Sequence, residues 1–172
     1  MKTHVTNLKS MMIVSTLTLV IFISTAASWF KPDFSGEWAL DQSKSNLGEY
    51  GAMMAPGKLS VKAEGEVITV VRYSSSPMGE SVTTDKITLD GKESASTGGM
   101  QGSSRVITSK LSDDQNTMTV TGVTKLSFDG NAFEITTTET WSISADGKTL
   151  TVDSNSSTPM GNNTIKQVYN KL

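Results

Sequence analysis

Apolar and polar residues alternate along most of the chain after residue 28, which is the pattern of β-strands with one dry face and one wet face. In one segment, Met118, Val120, Leu126 and Phe128 share one parity, and the other carries Thr117, Thr119, Thr121 and Lys125. No stretch after residue 28 has the 3.6-residue period of an amphipathic helix. The alternation therefore predicts an all-β protein. Its further strands lie within residues 34–40, 59–63, 67–73, 83–89, 105–111, 133–143, 150–152 and 165–169.

The connections between these segments indicate how the strands are joined. Asp-Gly pairs at Asp90, Asp129 and Asp146 are typical of tight hairpin turns. Sequential hairpins make an antiparallel up-and-down meander, and a meander of this length leaves two unpaired edges unless it curls round and closes. We therefore predict an antiparallel barrel of about eight to ten strands.

One hairpin unit occurs twice. Residues 74–79 read Ser-Ser-Ser-Pro-Met-Gly, and residues 156–161 read Ser-Ser-Thr-Pro-Met-Gly, 82 positions later. Proline fixes φ before a turn and glycine accepts a positive φ after it, so both copies are predicted to be loop tips.

The first 27 residues have the features of a secretory signal. Lys2 and Lys9 are followed by an apolar stretch over 11–23 and by small residues over 24–27. Cleavage there would leave 28–172 as a single barrel domain, exported to the periplasm or secreted, without a membrane span.

Composition excludes several classes of function. The 15 Lys and Arg residues against 17 Asp and Glu residues form no basic stripe, which argues against nucleic acid and anionic membrane surfaces as partners. The chain has no cysteine, and its one histidine, His4, lies in the predicted signal. Histidine and cysteine catalysis and the usual zinc ligand sets are therefore missing from residues 28–172. We predict a protein without cofactor or metal that is not an enzyme.

Polar residues on the dry parity are the candidate site residues, because a buried polar group costs free energy unless something satisfies it. They are Arg105, Glu139, Gln167 and Tyr169, with Asp85 as a weaker candidate. They could anchor a polar group of a guest inside a cavity. Alternatively, Arg105 and Glu139 pair with each other inside a filled barrel. The predicted cavity walls are Trp38, Leu40, Phe128, Phe133, Ile135 and Trp141.

Methionines concentrate in the predicted loops. Flexible thioethers at a barrel mouth would form an adaptable apolar rim, although ordinary loop packing and soft Cu(I) ligation are alternatives. The residues concerned are Met53, Met54, Met78, Met100 and Met160.

The segment 33–40, Asp-Phe-Ser-Gly-Glu-Trp-Ala-Leu, resembles the first strand of lipocalin-like proteins of the calycin group, including small exported bacterial members. This resemblance implies that Trp38 closes one barrel end with Lys166 or Lys171 lying across its ring. The ending 167–171 is similar to the last strand of fatty-acid-binding proteins, in which an Arg-x-Tyr pair holds the ligand carboxylate. This chain has Gln167 in the place of that arginine, which favours a neutral head group.

Taken together, these patterns predict an exported, monomeric barrel that binds a small hydrophobic or lipid-like molecule without covalent chemistry. A packed barrel that serves as a structural or protein-interaction module is the alternative. A third possibility is a carboxylate-based hydrolase or isomerase that uses Glu139.

Overall fold

The computed structural model describes residues 32–48, 51, 55–77, 79–97, 103–128, 131–159 and 161–172, without the side chains of Phe128 and Asn131. The predicted signal over 1–27 and all five loop methionines lie outside the described residues. The expectations attached to them remain predictions.

The described residues form a closed barrel of ten antiparallel strands, each paired with the next along the chain, and β1 paired with β10. This confirms the predicted all-β meander and its closure. The strands are β1 (Gly36–Leu40), β2 (Lys58–Glu64), β3 (Val67–Ser76), β4 (Gly79–Thr88), β5 (Ser94–Thr97), β6 (Ser104–Leu111), β7 (Thr117–Phe128), β8 (Asn131–Ile143), β9 (Thr149–Thr158) and β10 (Gly161–Lys171).

The seam between the first and last strands is short. Only three residue pairs join β1 to β10, from Trp38 opposite Lys171 to Leu40 opposite Tyr169. The chain extends this seam beyond β1, because Asn46 forms reciprocal backbone hydrogen bonds with Lys166 at 2.8 and 2.7 Å. Residues 41–46 therefore form a turn and an isolated bridge.

The repeated sequence unit corresponds to two equivalent hairpins. β3 and β4 become β9 and the first ten residues of β10 when 82 is added to each number. The last pairs of the two hairpins are Ser76 with Gly79 and Thr158 with Gly161. Gly79 has φ 118° and Gly161 has φ 127°, values that residues with a side chain rarely adopt. The sequence repeat is thus a repeat of backbone geometry.

A packed apolar core fills the end of the barrel near the C-terminus. The Phe34 and Trp141 rings meet edge to face, with centroids 6.0 Å apart and planes at 88°. We call this core the packed half. Its members are Phe34, Trp38, Leu59, Val61, Ile68, Val70, Ile87, Ile107, Met118, Val120, Trp141, Leu150, Val152 and Tyr169.

Within the described part of the chain, no helix is both long and apolar enough to cross a lipid bilayer.

Candidate ligand-binding site

Charged side chains span the interior of the barrel next to the packed half. Arg72 on β3 places its Nη2 2.8 Å from Oε2 of Glu139 on β8. β3 and β8 are five strands apart in either direction around the ring, so this ion pair joins opposite walls. On its other side, Nε of Arg72 donates to Oδ2 of Asp85 on β4 at 3.0 Å. We call Arg72, Asp85, Glu139 and Arg105 the polar bar.

The charges of the polar bar stabilise one another. Burial lowers the pKa of Arg72, but the carboxylates of Glu139 and Asp85 outweigh this and raise it, so Arg72 stays protonated. Burial raises the pKa of Asp85, but Arg72 and Arg105 more than compensate and hold it below its ordinary value. With two arginines and two carboxylates, the bar carries no net charge when all four are ionised.

Trp141 connects the polar bar to the packed half. Its indole Nε1 donates to Oε2 of Glu139 at 2.8 Å, and the guanidinium carbon of Arg72 lies 5.5 Å from the centre of the indole ring. The same residue thus satisfies a buried carboxylate and stacks against a buried cation. These contacts fix the position of both charges.

Arg105 is the incompletely satisfied member of the bar. Its Nη1 lies 3.6 Å from Oδ2 of Asp85, its side chain is 23% exposed, and its buried Nε has no hydrogen-bond partner. The guanidinium lies against the backbone of Gly122, where an added Cβ would be 2.7 Å from Nε and 2.8 Å from Nη2. Only glycine leaves room for this position of Arg105.

A second polar contact joins β10 to the segment before β2. The Tyr169 hydroxyl lies 2.6 Å from Oε1 of Gln167 and 3.1 Å from the carbonyl oxygen of Pro56. A phenol has one proton and donates to one oxygen only; an amide turned to present its NH2 to the phenol would satisfy both neighbours. Burial raises the pKa of Tyr169 well above its ordinary range, so the phenol stays neutral.

Beyond the polar bar, towards the Pro-Met-Gly tips, hydroxyl residues join apolar ones on the inward face, where Ile135 lies opposite Thr124 and Ile165 opposite Ser154. Cross-strand neighbours share a face of the sheet, and here they pair with interior residues: Thr83 opposite Arg72, Ser154 opposite Glu139, and Thr124 opposite Arg105. We call the inward-facing hydroxyl residues of this region the hydroxyl belt: Ser74, Thr83, Thr124, Thr137, Ser154 and Ser156. All of them except Ser154 are half-buried, which requires solvent to enter this part of the barrel.

The polar residues that were predicted as a site all face the interior. The pair between Arg105 and Glu139 that was considered for a filled barrel does not form. Glu139 pairs with Arg72 rather than with Arg105, and Arg105 lies beside Asp85. Gln167 and Tyr169 contact each other and lie in the buried part of β10.

The predicted apolar wall agrees less well with the structure than the predicted polar residues do. Trp38 and Trp141 are 0% exposed and belong to the packed half, so their side chains fill space instead of lining an opening. Phe133, predicted as wall, is 40% exposed, because β8 continues past its last pairing with β9 at Thr136 and carries Phe133 beyond the barrel wall. The side chain of Phe128 lies outside the described residues.

For barrel closure, the structure distinguishes the two lysines. Nζ of Lys171 lies 5.2 Å from the centre of the Trp38 ring, whose Nε1 donates to the Phe34 carbonyl at 3.0 Å. Lys166 is exposed and joins the bridge to Asn46 through its backbone. Of the two lysines of β10, Lys171 is therefore the one that lies over the Trp38 ring.

Sequence reasoning missed Arg72, the centre of the bar. A signal was present, because Arg72 follows Ile68 and Val70 at two-residue spacing on the buried parity of β3. Within the part of the chain that the structure describes, no group of three His, Cys, Asp or Glu residues could hold a metal ion. The carboxylates of Asp85 and Glu139 are instead bridged by Arg72.

Comparison with known proteins places this barrel in a structural class. No protein-family model and no curated protein sequence matches the chain. Among solved structures, it is similar to the crystal structure of zebrafish ileal bile acid-binding protein complexed with cholic acid. The two share 16% sequence identity at a TM-score of 0.50, and the match covers 81% of this chain and 98% of that one. This likeness shows the fold, a closed ten-strand antiparallel barrel.

Proposed function

We propose that this protein binds a small amphiphilic molecule in the half of the barrel beyond the polar bar and carries out no covalent chemistry on it. The observation that carries this proposal is the hydroxyl belt, whose residues face inward although five of the six are partly exposed. A cavity with a few convergent polar groups is the usual form of a small-molecule site. The zebrafish bile acid-binding protein with the similar fold, crystallised with cholic acid, supports small-molecule binding by such a barrel.

The packed half sets a limit on this guest. Because Trp38 and Trp141 are fully buried and the Arg72 to Glu139 pair spans the interior, a ligand would rest on the polar bar and leave its remainder towards the strand tips. A long acyl chain running the length of the barrel would have to displace both. We therefore propose a compact guest.

A packed module that contacts other proteins is the second candidate, and the packed half favours it. Native mass spectrometry of protein purified from its own host, together with binding of a polarity-sensitive dye, separates the two. Co-purified small molecules and enhanced dye fluorescence would support the binding protein. An empty protein that leaves the dye unchanged would contradict it.

We also propose export after removal of 1–27, on the strength of the basic, apolar and small-residue order of that segment. Cell fractionation with mass measurement of the mature protein tests this. Finding the full chain with the cytoplasmic fraction would contradict it.

A further inference from the structure

We propose, resting on the function above, that the guest is uncharged and rich in hydroxyl or carbonyl oxygens, and that the hydroxyl belt and Arg105 bind these oxygens.

The charges inside the barrel are already balanced. Arg72 and Arg105 face Asp85 and Glu139, with ion-pair distances of 3.0, 2.8 and 3.6 Å. A guest carboxylate or ammonium would bring one uncompensated charge into this buried group, and a buried unpaired charge is costly. The bar therefore disfavours anions and cations alike.

Hydrogen-bonding capacity, in contrast, is left over. The six hydroxyls of the belt make no hydrogen bond to any part of the chain that the structure describes. Other inward hydroxyls are used by the backbone: Ser109 donates to the Thr88 carbonyl at 2.7 Å. A hydroxyl both donates and accepts, so a ring of free hydroxyls matches sugar-like, glycerol-like or polyhydroxylated ring compounds.

Arg105 supplies donors at the edge of the belt. It lies opposite Thr124 across the β6–β7 pair, its side chain is 23% exposed, and Gly122 allows its guanidinium to lie flat against β7. A neutral oxygen of the guest can accept from this guanidinium without disturbing its ion pair with Asp85. Arg105 and Thr124 thus form one corner of the binding site.

Three probes with the same chain and different head groups test the inference by calorimetry, all below their micelle concentrations: octyl glucoside, octanoate and octyltrimethylammonium. We expect octyl glucoside to bind at least about tenfold more tightly than either ion. Tighter binding of octanoate or octyltrimethylammonium than of octyl glucoside would overturn the inference and leave the proposed function standing. Failure of all three, and of the dye above, would overturn both.

Matched variants locate the site. Thr124→Val removes one belt hydroxyl with little change of shape. It should weaken the binding of octyl glucoside about twofold to tenfold without affecting the binding of octanoate. Thr119→Val makes the same change on the outer face of β7, opposite Thr140, and should change neither. Equal effects of the two variants would contradict the proposed position.

The charge balance itself can be shifted. Arg105→Met leaves the bar with an excess negative charge. It should weaken the binding of octyl glucoside, and it should raise the affinity for octyltrimethylammonium relative to that for octanoate by about tenfold or more. Gly122→Ala should displace the guanidinium while keeping its charge. It should therefore weaken the binding of octyl glucoside without changing the preference between the two ions. An unchanged ion preference in Arg105→Met, with the fold intact by circular dichroism, would overturn the charge argument.

Discussion

Nη2 of Arg72 lies 2.8 Å from Oε2 of Glu139, although the two residues stand on opposite walls of a ten-strand barrel. Backbone pairing joins each strand only to its neighbours, whereas this ion pair connects β3 with β8 directly. It therefore fixes the width of the barrel at the level where the packed half ends.

Replacement of Arg72 by methionine should destabilise the protein strongly. It leaves Glu139 without an ion-pair partner and Asp85 with only the longer contact to Arg105, and removing one partner of a buried ion pair costs about 3–5 kcal/mol. Urea unfolding at neutral pH measures the loss. Adding Glu139→Gln should restore part of it, because Arg105 and Asp85 then remain as a balanced pair.

The control is Lys58→Met, which breaks an ion pair with Glu37 whose two side chains are each 46% exposed. Water screens such a pair, so its loss should matter far less. Equal destabilisation by Arg72→Met and Lys58→Met would show that the pair across the barrel contributes nothing special.

Asp85 should make stability depend on pH on the acid side. Although burial raises its pKa, Arg72 and Arg105 lower it overall, so the folded protein binds this proton less readily than the unfolded chain, where an aspartate titrates near about 3.9. The stabilisation is present above about pH 4 and is lost as the pH falls through the lowered folded value. Unfolding of the wild type at a series of pH values should show this decline.

Asp85→Asn should lower the free energy of unfolding at neutral pH and flatten its decline in acid, because one titrating group is gone. Asp90→Asn is the matched control: Lys92 lowers the pKa of Asp90 to about 2, but the pair lies in solvent. It should change neutral stability little. An acid profile that is the same in Asp85→Asn and the wild type would contradict the linkage.

The two lysines of β10 should differ in their effect on Trp38. Lys171→Met removes the cation 5.2 Å from the indole and should cost about 0.5–1 kcal/mol, with a change in tryptophan fluorescence. Lys166→Met removes an exposed charge and should change neither. Equivalent spectra and stabilities for the two variants would argue against the contact with Lys171.

Hydrophobic alternation was sufficient to predict the fold, but the interior depended on information that alternation does not contain. Parity identified Arg105, Glu139, Gln167 and Tyr169 as inward-facing. It could not identify the partner of Glu139, because Arg72 is 67 positions away and contacts it only after the barrel closes.

Parity also could not tell a filled interior from an open one. Trp38 and Phe133 both lie on inward parity, yet one is 0% exposed and the other 40%, because strand length relative to the neighbours decides which inward positions are covered. The extent of each strand pairing is a property of the assembled sheet, so it was not available from local sequence.

The repeated hairpins allow a test in which each tip is the control of the other. Gly79 and Gly161 have φ of 118° and 127°, so alanine at either position is strained and should cost about 1–3 kcal/mol. Since the two tips belong to different hairpins, the double variant should lose the sum of the single losses. Gly57→Ala, at a position with open space around it and no positive φ, should change stability by less than about 0.5 kcal/mol. Urea unfolding of the wild type, the two single variants, the double variant and Gly57→Ala measures these differences. If alanine were tolerated at one tip but not at the other, the repeated sequence would not impose the same backbone requirement on both hairpins.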